Sequence, residues 1–340
     1  MFPFRKQLSL GLLSAVGATV CFSVVPVFLR YFAGSEHKLD LWTVNAVRYT
    51  TAAVFWFPFV LRLQRAKPPS GRVGDPPAVG QRFKALDPPL VQRSVWVAAA
   101  LPALVNVAGQ VGWAAAPYFI DAPTIGFVIR TSFLFTIVLG FIFVPPERAL
   151  AGMPLFYLGA AACLVGTAVM FAGRLGGEQG LSSKHLAGLG IIVWTALCWG
   201  GYAVSVRRLL MGYPFRLAFG VVSLYTAAAV VVLMLIFGDY PRLAGLPLEV
   251  WALLVVSGFI GIALGHVLLY RGIHGIGPVI TSGVQMAAPF VTCSAAAVFL
   301  VDETLTGHQL VGGIVVVVGG LLLVKARAQV GGPRVPPVVD

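Results

Sequence analysis

Charge is what this sequence has least of. Only 11% of its 340 residues are Asp, Glu, Lys or Arg, against 58% apolar, where a soluble domain carries about 25% charged residues. A water-facing surface cannot be assembled from so little charge, so lipid is the natural solvent and an ordinary soluble protein is excluded. The few carboxylates, from Glu36 and Asp40 through Glu147 to Asp302, Glu303 and Asp340, all fall in loops or at the ends of apolar runs. None is left in mid-membrane for a proton relay or a sodium cage. Cys21, Cys163, Cys198 and Cys293 each lie inside an apolar run, with no CxxC and no histidine partner. They read as small buried hydrophobes, so no disulfide, metal or cofactor is expected. GxSxG, HExxH and paired intramembrane carboxylates are also missing, which speaks against an enzyme.

What is abundant is uninterrupted hydrophobic sequence. An α-helix needs about 20 mainly apolar residues to cross a bilayer. Ten runs approach that length: 8–32, 42–64, 95–116, 124–145, 154–173, 186–208, 215–237, 250–271, 278–301 and 308–325. They are continuous rather than alternating, which excludes a transmembrane β-barrel. The first run exceeds the apolar core of a cleaved signal peptide and is read as a span. Pro and Gly punctuate the breaks, as at Asp121-Ala122-Pro123 and Gly277-Pro278, which read as helix starts. The one long connection, 65–94, is rich in Pro, Gly, Arg and Lys and is expected to be a disordered cytoplasmic loop.

The net charge of +12 is spread through these connections, not gathered in a nucleic-acid-binding patch. With the N-terminus inside, 17 Lys and Arg fall in inner segments and 5 in outer ones; Arg48 and Arg130 lie within runs. By the positive-inside rule both termini are expected in the cytoplasm. Arginine outnumbers lysine 18 to 6, a bias that hints at a GC-rich bacterial genome and hence at a bacterial inner membrane.

The halves resemble each other. Cys21-Phe22-Ser23, with Arg30 following, corresponds to Cys198-Trp199-Gly200 with Arg207 following, at an offset of 177. Pro145-Pro146-Glu147-Arg148 corresponds to Val301-Asp302-Glu303-Thr304 at an offset of 156, the long loop after the second run accounting for most of the difference. Five spans per copy is odd, so the second copy would enter the membrane inverted, an arrangement that places a solute site near the midplane. The expected fold class is therefore an all-α integral membrane protein, ten transmembrane helices in two inverted five-helix repeats.

These features, with a Glu closing the fourth run of each half and Arg48 early in the second, resemble two EamA domains of the drug/metabolite transporter superfamily. The resemblance spans residues 8–325: a first repeat over 8–174, a second over 186–325, then a cytoplasmic tail, 326–340. It implies a multi-pass membrane transporter in which Arg48 plays a structural role near a helix end. One position departs from the pattern: the ninth run has a mid-helix proline, Pro289, where the fourth has Phe133, so unequal bending of the two halves is expected.

Candidate site residues follow from polarity inside the runs. Arg130 sits about six residues into the fourth run, where a charge faces the bundle or a water-filled cavity; it reads either as a counter-charge for an anionic group or as a brace for helix-end carbonyls. Asn106, Gln110 and Trp113 share one helical face that cannot look at lipid. A shift of 156 places Gln110 on His266 and Arg130 beside Gln285. Trp199 and Tyr202 add aromatic groups. His266 is the one central side chain that titrates near neutral pH, so transport is expected to be passive, exchange, or proton-coupled through it. The glycines at 159, 166 and 173, and the pairs 312–313 and 319–320, form close-packing stripes, for use within one subunit or between two. The expectation is a carrier of amino acids or related metabolites, monomer or homodimer, working by alternating access. A broad-specificity drug exporter is the alternative, and a channel or a membrane enzyme lies further off.

Overall fold

The computed structural model describes residues 2–34, 39–65, 94–116, 119–120, 125–126, 128–172, 183–299 and 306–330. Among these residues there are helices and no strands. In chain order they are α1 (Phe2–Gly34), α2 (Leu41–Arg65), α3 (Val95–Ala115), α4 (Ser132–Phe143), α5 (Pro154–Phe171), α6 (Ser183–Leu209), α7 (Phe215–Phe237), α8 (Leu248–Gly258), α9 (Gly265–Ile276), α10 (Pro278–Gln285), α11 (Ala288–Phe299) and α12 (Gly307–Val330). The expected start at Asp121-Ala122-Pro123, the bulk of the 65–94 loop, Glu303 and the tail beyond 330 lie outside the described residues.

Among the described residues, seven helical segments are long and apolar enough to cross a membrane, and an eighth counts if the pair 129–143 and 145–152, bent by 113°, is one span. Two of the expected runs fall short for visible reasons. Asn45, Arg48, Thr50 and Thr51 dilute the hydropathy of α2. The ninth run is divided between α10 and α11, because Pro289 has no N–H to continue the helix across its second residue. The eighth run stays long but is not uniform: a π-helical turn, Phe259–Leu264, joins α8 to α9.

Exposed Leu, Val, Ile and Phe side chains cover the outside, including Leu13, Leu104, Leu158, Ile236 and Leu321. In water they would be a liability; in lipid they are the solvated surface. The interior is held by small residues. Gly166 and Gly312 stack α5 on α12 so tightly that a Cβ on Gly312 would stand 2.5 Å from the Gly166 carbonyl. The glycine stripes of the fifth and tenth runs thus meet each other within one chain.

Packing crosses between the halves throughout. Helix α1 lies on α9, α2 on α7, α3 on α6 and α5 on α12; α4 rests on α6, and α1 on α10 and α11. One end of the bundle gathers the start of α1, where Gly11 meets Gly275, the end of α6 and the end of α12. There Glu147, fully buried in the 3-10 segment Pro145–Gly152, faces Arg327 at 3.6 Å. Its carboxylate also fills the space beside Gly277, where φ is +87° and a Cβ would meet it. Arg207 donates to the carbonyls of Ile273 and His274 at 3.0 and 2.8 Å, closing the end of α9. At the opposite end Asp40 accepts from the Thr43 and Asp239 amides, both at 2.9 Å, and so ties α2 to the α7–α8 connection.

Candidate functional site

Polar side chains inside lipid-facing helices are costly unless they find partners, so a buried polar centre marks where the sequence invests in something other than packing. This bundle has one, built where the helices of the two halves cross. Its floor is His266, two residues past the π-helical turn. The imidazole stacks on Phe219 with ring centres 5.3 Å apart and meets Phe22 edge-on at 5.1 Å; the Tyr49 and Tyr202 rings lie at 6.5 and 6.3 Å. Its Nδ1 is buried and has no hydrogen-bond partner among the described residues. The π turn matters because an extra residue per turn rotates the side chains that follow, and such turns recur at functional sites.

Around this floor the polar groups pair across helices. Asn106 Nδ2 donates to the Tyr49 hydroxyl and to Thr226 Oγ1, each at 3.2 Å. The hydroxyls of Tyr202 and Tyr270 are 2.9 Å apart. Arg48 is buried against the π turn, where a Cβ on Gly261 would stand 2.9 Å from its guanidinium, and its Nε has no partner. A charged group thus lies beside Tyr49 on α2, against the π turn that precedes His266.

A second group lies where two helices are interrupted. The 3-10 turn Ile129–Thr131 precedes α4, and residues 286–287 separate α10 from α11. Arg130 Nη1 spans these breaks and donates to the Gln285 carbonyl at 3.2 Å, while its Nε is buried without a partner. Ser23 of α1 reaches the same place: its Oγ donates to the Ala288 carbonyl at 3.2 Å, and Thr292 Oγ1 donates back to the Ser23 carbonyl at 2.9 Å. Because Phe22 and Ser23 are neighbours, the break at Ala288 and the His266 floor share one turn of α1. Residues 285–287 and 129–131 are 156 positions apart, the spacing noted in the sequence, with Pro289 beside one break and Phe133 beside the other.

The expected site residues divide accordingly. Asn106, Tyr202 and His266 come together around the floor, and Arg130 and Gln285 meet at the breaks. Trp113 and Trp199 pack on each other with ring centres 5.1 Å apart, within an apolar cluster that includes Ile129 and Ile192. Gln110 is half-buried between Asn106 and Trp113 along α3. Tyr49, Phe219 and Thr226 escaped the sequence reading, and Tyr270, near the end of a run, reads there as an interface anchor. Aromatic residues in apolar runs look like packing, and only a cross-helix hydrogen bond separates the two roles. The signal available for Tyr49 was its place beside Arg48.

Seven or eight candidate spans with an apolar exterior define an α-helical multi-pass membrane protein. The family model described as "EamA-like transporter family" matches residues 186–325. The second half of the chain is thus similar to an EamA-type domain of the drug/metabolite transporter superfamily. A solved crystal structure covers 95% of this chain and 99% of its own, with a TM-score of 0.66 and 17% identity; at that identity the likeness is one of fold. No curated protein matches the chain in sequence.

Proposed function

We propose that the protein carries small organic solutes, amino acids or related metabolites, across a bacterial inner membrane by alternating access at the polar centre. Ten spans form two inverted repeats, 8–174 and 186–325, with both termini cytoplasmic. The observation that carries this reading is a pair of matched contacts between the halves. Cys198 and Trp199 of α6 pack on Gly109 of α3; Cys21 and Phe22 of α1 pack on Gly265 of α9. The first pair of residues is displaced by 177 and the glycine by 156, the offsets found in the sequence. Two equivalent halves that clasp each other symmetrically can exchange conformations by rocking, which presents a midplane site to either side.

The centre suits a solute with a flat or aromatic part and a hydrogen-bonding part. Phe22, Tyr49, Tyr202 and Phe219 offer faces and edges, His266 Nδ1 and Arg48 Nε offer unused polar atoms. That aromatic lining also favours the second reading, a drug exporter of broad specificity, since ring faces accept many apolar groups. A thermal-shift screen against amino acids, nucleobases and cationic drugs, followed by counterflow in proteoliposomes, separates the readings. Saturable counterflow of one chemical class supports the metabolite carrier. Non-saturating flux would make it a channel, and no flux with substrate turnover would make it an enzyme.

A further inference from the structure

Away from the polar centre, the surface between α2, α7 and the π turn opens into a groove of about 390 Å³. Its walls are apolar: Phe55 and Phe59 from α2, and Phe259, Leu264 and Leu268 from the π turn and α9. Phe55, Phe259 and Leu264 are exposed at its rim, so it opens to the bundle's lipid-facing side. One end is unlike the rest. Arg216, the second residue of α7, and Arg271, in the last turns of α9, stand over the same Phe215 ring, their guanidinium carbons 5.8 and 5.7 Å from its centre. The two cations are therefore no further apart than the sum of those distances. Among the described residues no carboxylate pairs with either.

We propose that this groove seats an anionic phospholipid, one acyl chain along the aromatic wall and the phosphate between Arg216 and Arg271. Two like charges held over one ring repel each other and attract a shared anion, and the ring's negative face holds both in place. Both arginines sit at the end of the bundle that holds the close of α6 and the start of α1, where headgroups would lie if α2, α7 and α9 span. Basic pockets between helices at that depth recognise anionic headgroups, and each basic residue strengthens the attraction several-fold. A zwitterionic lipid would place its own cation beside two others. A free phosphate would leave the apolar wall unused.

The test uses the purified full chain, delipidated in detergent, with native mass spectrometry and thermal unfolding as readouts. The probes are phosphatidylglycerol, phosphatidylcholine with the same acyl chains, and inorganic phosphate. The parent should retain phosphatidylglycerol roughly 10–30-fold more strongly than phosphatidylcholine, and phosphate should compete weakly. R216Q/R271Q should lose that preference while keeping the parent's helical content. Leu264→Trp, which fills the rim, should weaken both lipids. Equal retention of the two lipids by the parent, which needs no variant, overturns the proposal. So does a preference that survives R216Q/R271Q, full competition by phosphate, or indifference to Leu264→Trp.

Discussion

Gly109 lies directly beneath the Trp199 indole, so close that a Cβ would stand 2.8 Å from the ring, and Gly265 lies beneath Phe22 at the same 2.8 Å. These are two of the contacts by which each half of the bundle rests on the other. They explain why a small residue is needed at 109 and 265 although neither has a strained backbone. Gly109→Ala is expected to destabilise the protein by about 1–3 kcal/mol, the usual cost of overpacking. Thermal unfolding in detergent reads this, and Gly109→Ala/Trp199→Ala should recover part of the loss. If the single substitution leaves the unfolding temperature unchanged, the contact is looser than described.

Arg130 donates to the Gln285 carbonyl at a break in the helix, so its first role is to brace that break. Arg130→Ala should lower stability by about 1.5–3 kcal/mol, the range for a hydrogen bond from a charged group. Thermal-shift titration with acidic and neutral ligands decides whether the guanidinium also binds solute. Equal shifts in variant and parent assign it to the scaffold, whereas selective loss of the acidic response assigns it to the site.

The Tyr202 and Tyr270 hydroxyls share one hydrogen bond between α6 and α9. Tyr202→Phe and Tyr270→Phe should each cost about 0.5–1.5 kcal/mol. The double variant should cost less than the sum, because neither hydroxyl is then left alone. A double-mutant cycle measures this coupling, and strict additivity would mean that the two hydroxyls do not depend on each other.

At the opposite end, burial raises the cost of ionising Asp40, but the Thr43 side chain and the Thr43, Asp239 and Trp42 amides outweigh it and hold its carboxyl below the ordinary range. A depressed folded-state value stabilises the protein above the unfolded value, about 3.9, and the contribution is lost as pH falls through the lower folded value. Asp40→Asn should therefore be less stable than the parent at neutral pH, with the gap closing in acid. A gap that persists unchanged down to pH 2 would assign the effect to shape rather than charge.

Glu147 and Arg327 are both buried, and among the described residues Glu147 makes no hydrogen bond besides. Removing one member of such a pair strands the other, at a cost of about 3–5 kcal/mol, whereas removing both is much milder. Glu147→Gln should thus be worse than Glu147→Gln/Arg327→Gln in unfolding measurements. The reverse order would show that Arg207 of α6, which donates to the end of α9, is the true counter-charge.

The sequence alone determined that this chain is helical, that lipid is its solvent, and that polar residues at 106, 130, 202, 266 and 285 belong inside. Those conclusions need only length, hydropathy and the cost of a charge in hydrocarbon, all of which are local sums over residues. The two offsets were legible there too, since a spacing is written in order along the chain. What it left undecided was the use of each polar side chain. Arg130 keeps both readings, with the Gln285 carbonyl beside it supporting the brace, and nothing local to Tyr49 or Tyr270 points to their cross-helix partners. The interruption of the fourth run without a proline, and the π turn before His266, were equally hidden. Each depends on which helix lies across from which, and residues more than a hundred positions apart meet only when the two halves have closed on each other.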